Sequence, residues 1–194
     1  MVMVSPLPRP PWRQGQLDGL CGLYAAINAL AYVLAPVVAV DRRWAARLFK
    51  HGLTHIAEHV PLATAVRDGI DPEPWVALVT HLAEHVAAKL DVPIAVTLPF
   101  AGNAKVGRDE WFSTACTTLD AGDALLLLLA GEHRHYTMAT RLTPRLLGLH
   151  DSSGLQHLQL SATGMGNSKR RHRIQAEWTI VLTLGQHRVR ERPG

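Results

Sequence analysis

The first half of the chain spaces its hydrophobic residues at helical intervals. Between Leu20 and about Leu34 they recur three or four positions apart, which predicts an α-helix with one broad apolar face. Asp18 is the expected N-cap of this helix, and Pro36 indicates a stop near residue 35. Small residues, among them Gly22, indicate that the helix lies close against another element.

Three more helices are predicted before the pattern changes. Their ranges are 41–50, with Asp41 as N-cap, 54–60 and 73–90. The last has the clearest periodicity, and Pro72 and Pro74 suit its first turn because proline is tolerated there.

From residue 92 onward the pattern becomes strand-like, with β-branched and alternating positions. Strands are predicted over 92–100, 123–130, 135–141, 145–151 and 177–184, and a short helix over 109–117. The run "ALLLLLA" at 124–130 predicts a fully buried strand, since it is far shorter than the roughly 20 residues that span a bilayer. Helices followed by antiparallel strands predict an α+β fold of two packed halves, with a site in the groove between them.

Composition is that of one folded domain. The chain has 194 residues, of which 47% are hydrophobic and 19% charged. We expect a Pro-rich lead-in over 1–15, a single domain over 16–186 and a basic tail over 187–194. No secretory signal is recognisable, which favours a cytoplasmic protein whose two cysteines, Cys21 and Cys116, are free thiols.

The net charge of +4 is concentrated late in the chain, in "KRRHR" at 169–173 and in the tail. Basic clusters can contact phosphates, but no aromatic residues alternate with these to stack on bases. We therefore expect a solvated loop and tail, with neither nucleic acid nor a membrane as partner.

Cys21 stands where the apolar stripe of the first helix begins. A helix N-terminus favours a thiolate, because its unpaired amide groups and its dipole stabilise negative charge. Gly22 would leave room there for a substrate backbone. A free cysteine is more often a buried core residue, so Cys21 becomes a candidate nucleophile only together with a base.

Most of the 11 histidines can be excluded as the base for Cys21 because of where they lie in the chain. Those in predicted helices are His51, His55, His59, His81 and His85. The segment "HLAEH" at 81–85 does not match the HExxH zinc signature, because its glutamate is in the fourth position. We expect no metal ion and no cofactor.

The segment "GEHRHYTMAT" at 131–140 is different, because it opens a strand directly after the buried one. His133 and His135 alternate onto one face of it, so either could point at a site. A hairpin turning at Thr143 would set His135 beside Asp151, where the next strand ends. The carboxylate would orient the imidazole, whose other nitrogen would face the thiol. The alternative is that Asp151 only opens the turn "DSSG".

A side-chain amide just before the cysteine could complete such a site. With the backbone N–H of Cys21, it would stabilise the oxyanion of a tetrahedral intermediate. Gln16, five residues before Cys21, and Gln14, seven before, are the candidates.

These residues resemble the papain-like cysteine peptidases. "QLDGLCGLYA" is similar to the opening of their central helix, and "HYTMA" and "LLGLHDSSG" are similar to their histidine and Asp/Asn strands. Bacterial double-glycine leader peptidases and Josephin-type deubiquitinases have the most similar motifs. The implied fold is a helical lobe carrying the cysteine, packed on an antiparallel sheet carrying histidine and aspartate.

The resemblance implies a cysteine peptidase that hydrolyses peptide or isopeptide bonds through a thioester acyl-enzyme. Cys21 would be nucleophile, His135 general base and acid, Asp151 its orienting partner and Gln16 the oxyanion donor. A protein or peptide substrate, such as a ubiquitin-like or leader-peptide protein, would be the partner. Two alternatives stay open: an acyltransferase, transglutaminase-like or deamidase-like effector with the same triad, and a non-catalytic papain-like binding module.

Overall fold

The computed structural model describes residues 9–15, 18–132 and 134–185, and the predicted basic tail lies outside this range. The fold of the described chain is α+β, as the sequence predicts. Its helices are α1 (Cys21–Leu34), α2 (Arg42–His59), α3 (Leu62–Asp68), α4 (Pro72–Leu90) and α5 (Arg108–Asp120). Its strands are β1 (Ile94–Thr97), β2 (Ala124–Gly131), β3 (His135–Leu142), β4 (Leu146–His150), β5 (His157–Gln159), β6 (Thr163–Met165), β7 (His172–Ile174) and β8 (Ile180–Leu184).

The strands form one sheet with the order β1-β8-β2-β3-β4-β5. Neighbours along this path are antiparallel. β7 pairs with the far end of β2, antiparallel, and with β6, parallel. The predicted basic loop at 169–173 therefore ends inside β7, and its Arg171 pairs with Glu132 at the end of β2.

The sheet is covered on both faces, which differs from the predicted packing of two halves. Alternate residues of β2 divide between two apolar cores: Leu126 and Leu128 pack with α1 and α4, and Leu125 and Leu127 pack with α5. A strand buried on both sides needs a continuous apolar run rather than an alternating one, which explains "ALLLLLA".

The helix α1 lies in the centre of the first core. It contacts α2, α4, β2, β3 and β8, and it is buried nearly all round rather than on one face. The small residues predicted to permit close approach do so: a Cβ on Gly22 would come within 2.9 Å of the Trp75 side chain. The predicted N-cap is wrong, because Leu20 occupies that position. Asp18 instead accepts hydrogen bonds from the N–H groups of Gly15 and Leu20 in the preceding turn.

The segments predicted as two helices, 41–50 and 54–60, are one helix, α2. Asp41 is its N-cap, as predicted, and its carboxylate accepts from the N–H of Trp44 at 2.7 Å. The helix continues through Gly52. A side chain at this position would collide with Leu23 of α1, so the glycine permits the close packing of the two helices. Within the described residues, no helix is both long enough and apolar enough to cross a membrane.

Candidate active site

Cys21 is the first residue of α1. No side chain caps this end of the helix within the described chain, and its first turn contains no acidic residue. The N–H groups of Cys21 and Gly22 therefore have no partner inside the helix, and they form an anion-stabilising end beside the thiol. Cys21 is 9% exposed, and its Sγ lies 3.9 Å from the carbonyl oxygen of Gly19.

Aromatic side chains hold this helix end against β3 and the segment before α4. Trp75 donates from Nε1 to the carbonyl of Gly22 at 3.1 Å, and its ring packs 4.2 Å from that of Tyr136. The Tyr136 hydroxyl in turn donates to the carbonyl of Ile70 at 2.9 Å. Burial raises the pKa of Tyr136, so its hydroxyl stays protonated as a donor. Sequence reasoning did not identify these supports, because they join residues more than 50 positions apart.

His135 and Asp151 are in direct contact, 2.5 Å apart between Nε2 and Oδ2. Because the carboxylate can only accept, the ring carries a hydrogen on Nε2, and Nδ1 is the nitrogen left to contact the thiol. The Asp151 side chain is fully buried, and that of His135 is 11% exposed. The structure thus brings the sequence-predicted pair together. His133, the other candidate on this strand, lies outside the described residues.

The register of the two strands differs from the simple hairpin that suggested this contact. Met138 pairs with His150, and a bulge interrupts the ladder between Ala139 and Arg141. Extending that register by one residue sets Asp151 opposite Thr137, not opposite His135. The carboxylate reaches His135 along the diagonal between same-face neighbours, a distance that long side chains cover.

Asp151 also opens the turn "DSSG", in addition to its contact with His135. Its Oδ1 accepts from the N–H and hydroxyl of Ser153, at 2.9 and 2.7 Å, and from the N–H of Leu155 at 3.0 Å. These three donors fix the carboxylate and leave Oδ2 for the imidazole. The same local hydrogen bonds that form the turn therefore aim the carboxylate at His135.

The charges of the pair follow from these contacts. Burial lowers the pKa of His135, but the hydrogen bonds with Asp151 and Cys21 outweigh it and raise the pKa to about 9. Burial likewise opposes ionisation of Asp151, yet the hydrogen bonds from His135 and Ser153 hold its pKa well below the usual range. At neutral pH the pair is an imidazolium facing a carboxylate, with the Cys21 side chain in hydrogen-bond contact with the ring.

Residues 9–15 of the predicted lead-in run from α1 to the loop that carries Asp151. Trp12 exchanges two hydrogen bonds with the buried side chain of Asn28, and the N–H of Gln14 donates to the carbonyl of Ser152 at 3.1 Å. The Gln14 side chain donates to the carbonyl of Asp18. Gln16, the preferred oxyanion donor, lies outside the described residues.

An open groove lies beside the imidazole. Its lining residues come from the β2–β3 turn and the loop after β4: Glu132, Arg134, His135, Ser153, Gly154 and Leu155. The ring of His135 therefore borders both the Cys21 side chain and a solvent-filled groove. The second cysteine, Cys116 on α5, is exposed and belongs to the other face of the sheet.

Comparison of the chain with protein-family models, curated proteins and solved structures found no match.

Proposed function

We propose that this protein is a cysteine peptidase with a papain-like arrangement, in which Cys21, His135 and Asp151 act as nucleophile, general base and orienting carboxylate. The observation that supports this most directly is the contact series itself. A thiol at a helix N-terminus is in contact with an imidazole, and a buried carboxylate whose two oxygens are both hydrogen-bonded contacts the other side of that ring. Such a series is the constellation that nucleophilic acyl transfer requires.

The reaction would proceed by attack of the Cys21 thiolate on the carbonyl carbon of a peptide or isopeptide bond. The oxyanion that forms would be stabilised by the N–H of Cys21 at the start of α1 and by a side-chain amide from Gln16. The imidazolium of His135 would give its Nδ1 proton to the leaving amine. Neutral His135 would then take a proton from water as the hydroxide attacks the thioester carbonyl, so the acyl group leaves as a carboxylic acid and the Cys21 thiolate and the imidazolium are restored.

The groove beside His135 is the natural place for the departing side of a substrate, because the leaving amine must be near the ring that protonates it. The groove is open to the surface, which is compatible with a protein or peptide as the substrate. Free thiols persist in reducing compartments, and a cytoplasmic location suits this chemistry.

The competition between Cys21 and Cys116 for an alkylating reagent tests the proposal. Exposure alone would make Cys116 react faster, because Cys21 is buried and Cys116 is exposed. Activation by His135 and the helix end predicts the reverse. We expect iodoacetamide at pH 7 to label Cys21 at least tenfold faster than Cys116, measured by peptide mass spectrometry over time.

The matching functional measurement is the hydrolysis of a fluorogenic peptide library by the wild-type protein and by Cys21→Ala. We expect the wild-type protein to hydrolyse peptides from the library. Cys116→Ala should hydrolyse them at the same rate, and Cys21→Ala should have no activity. Faster labelling of Cys116 in the folded protein would contradict the proposal. Labelling of Cys21 with transfer to an added primary amine instead of hydrolysis would favour the acyltransferase alternative.

A further inference from the structure

The rings of five histidines form one continuous stack between α2 and α4. Four consecutive contacts join them, with ring centroids 4.4, 4.2, 4.7 and 3.9 Å apart. We call this set the histidine stack; in spatial order its members are His59, His55, His81, His51 and His85. The proposed peptidase mechanism uses none of them.

One end of the stack brings three metal-binding groups together. His55, Glu58 and His59 each offer a ligand atom, and these atoms lie within 4.8 Å of one another. On a helix, positions i, i+3 and i+4 share a face, so a single turn of α2 presents all three side chains. Ligands of a tetrahedral zinc ion lie about 3.3 Å apart, given metal–ligand distances of about 2.0–2.1 Å, so small rotamer adjustments would close the site.

A hydrogen bond gives His59 a tautomer that suits this role. Its Nδ1 lies 2.8 Å from the carbonyl oxygen of His55, which can only accept, so Nδ1 carries the hydrogen and Nε2 presents its lone pair. A histidine that binds a metal ion through one nitrogen commonly donates the other N–H to a carbonyl in this way.

The middle of the stack is less suited to a metal ion. The Nε2 atoms of His51 and His81 lie 2.9 Å apart and form a hydrogen bond with each other, so one of them donates a hydrogen. That nitrogen has no lone pair for a metal. Segment 81–85 of α4 has the same spacing as 55–59, but Glu84 belongs to no such three-ligand group within the described residues.

We propose that His55, Glu58 and His59 form a binding site for a divalent transition metal ion of the zinc class, with at least one coordination position open to water or another ligand. Two imidazoles and one carboxylate are a ligand set that zinc accepts. The site is independent of the proposed peptidase chemistry, so either proposal can fail without the other.

Zinc binding to full-length, tag-free protein tests this site. All proteins carry Cys21→Ala and Cys116→Ala, so that no thiol competes for the metal. Affinity is measured by competition with a chromophoric chelator, and Co²⁺ absorption reports the coordination. We expect one zinc per chain, and a melting temperature that rises by about 5–10 °C at a free zinc concentration of about 100 times Kd.

Two variants of exposed ligands and two matched controls locate the site. We expect His59→Asn and Glu58→Gln each to weaken zinc binding at least tenfold, and Glu84→Gln and His157→Asn to leave it unchanged. Circular dichroism checks that each variant is folded. Wild-type affinity in both ligand variants, or no binding at micromolar zinc, would overturn the proposal, and a loss in His59→Asn alone would rule out the three-ligand site.

Discussion

The protein contains two histidine environments that differ in their partners. On the sheet, His135 contacts a buried carboxylate and a thiol. Between α2 and α4, the histidine stack places imidazole against imidazole. Burial lowers the pKa of His135 and also that of His51, His55 and His85, so the two environments differ in sign because of the neighbouring groups.

The neighbour determines the direction of each pKa. The carboxylate of Asp151 overcomes burial and raises the pKa of His135 to about 9. In the stack, burial and the adjacent rings lower the pKa of His51, His55 and His85, because a second positive charge beside the first is unfavourable. The same side chain is therefore charged at neutral pH in one place and neutral in the other.

The largest expected effect is on peptide hydrolysis and on the reactivity of Cys21, which should depend on His135 but not on the histidine stack. His135→Gln removes the proposed base, and we expect peptide hydrolysis to fall about 10²–10⁴-fold, with the preference of iodoacetamide for Cys21 over Cys116 lost. His51→Gln, which replaces a ring of the stack that contacts both His81 and His85, should leave both the hydrolysis and the labelling preference unchanged. Equal losses in the two variants would mean that the effect is on folding rather than on the thiol.

The second prediction concerns the pH dependence of the free energy of unfolding. The two environments should make it change with pH in opposite directions. His135 has a folded pKa of about 9 and an ordinary value of 6.5. Its contribution is complete below pH 6.5 and is lost as the pH rises through 9, because the unfolded state releases the proton first. Asp151, with its lowered pKa, contributes above about pH 4 and loses its contribution only on further acidification.

The histidine stack has the opposite effect on the pH dependence of stability. The lowered pKa values of His51, His55 and His85 mean that the unfolded chain binds protons below about pH 6.5 before the folded chain does, so the free energy of unfolding falls as the pH falls. His150, whose pKa burial lowers to about 4, adds to this acid loss. Urea midpoints from pH 4.5 to 9.5 should therefore pass through a maximum near pH 6.5. In Asp151→Asn, the decrease of the urea midpoint above pH 6.5 should become smaller, and the decrease below pH 6.5 should stay the same. A smaller decrease below pH 6.5 instead would contradict the assignment of the alkaline loss to His135 and Asp151.

The smallest effect concerns the residues that position the carboxylate. Ser153→Ala removes one of three hydrogen bonds to Oδ1 of Asp151 and leaves the N–H groups of Ser153 and Leu155 in place. We expect a loss of about 1 kcal/mol in the free energy of unfolding, measured by urea denaturation, and a small decrease in the pKa of His135, measured by NMR titration. Ser168→Ala, in the loop before β7, is the matched control. A change as large as that in Asp151→Asn would show that the hydroxyl, not the backbone, fixes the carboxylate.

The helices and strands were largely accessible from the sequence, because periodicity reports which side of an element is buried. α1, α4, β2 and β3 begin within one or two residues of their predicted starts. The short elements α3 and β5–β7 were not predicted. They have too few residues for a periodic signal, and tertiary contacts hold them in place.

The pairing of His135 with Asp151 was predicted from a symmetric hairpin, yet it occurs in another register. The bulge after Ala139 shifts the strands, and the contact survives because the Asp151 side chain reaches along its face. The sequence places the five histidines of the stack in predicted helices and gives no sign of their contacts. The existence of the stack depends on how α2 lies against α4, which no spacing within one helix reveals.

The sequence by itself determined the α+β class, the thiol at the start of α1 and the order of the candidate residues, because local periodicity, turn chemistry and helix ends are properties of neighbouring positions. Only the tertiary structure decided which imidazole meets a carboxylate and which meets another imidazole. That choice depends on strand register and on the packing of helices far apart in the chain. The opposite pKa shifts of His135 and of His51, His55 and His85 follow from that packing.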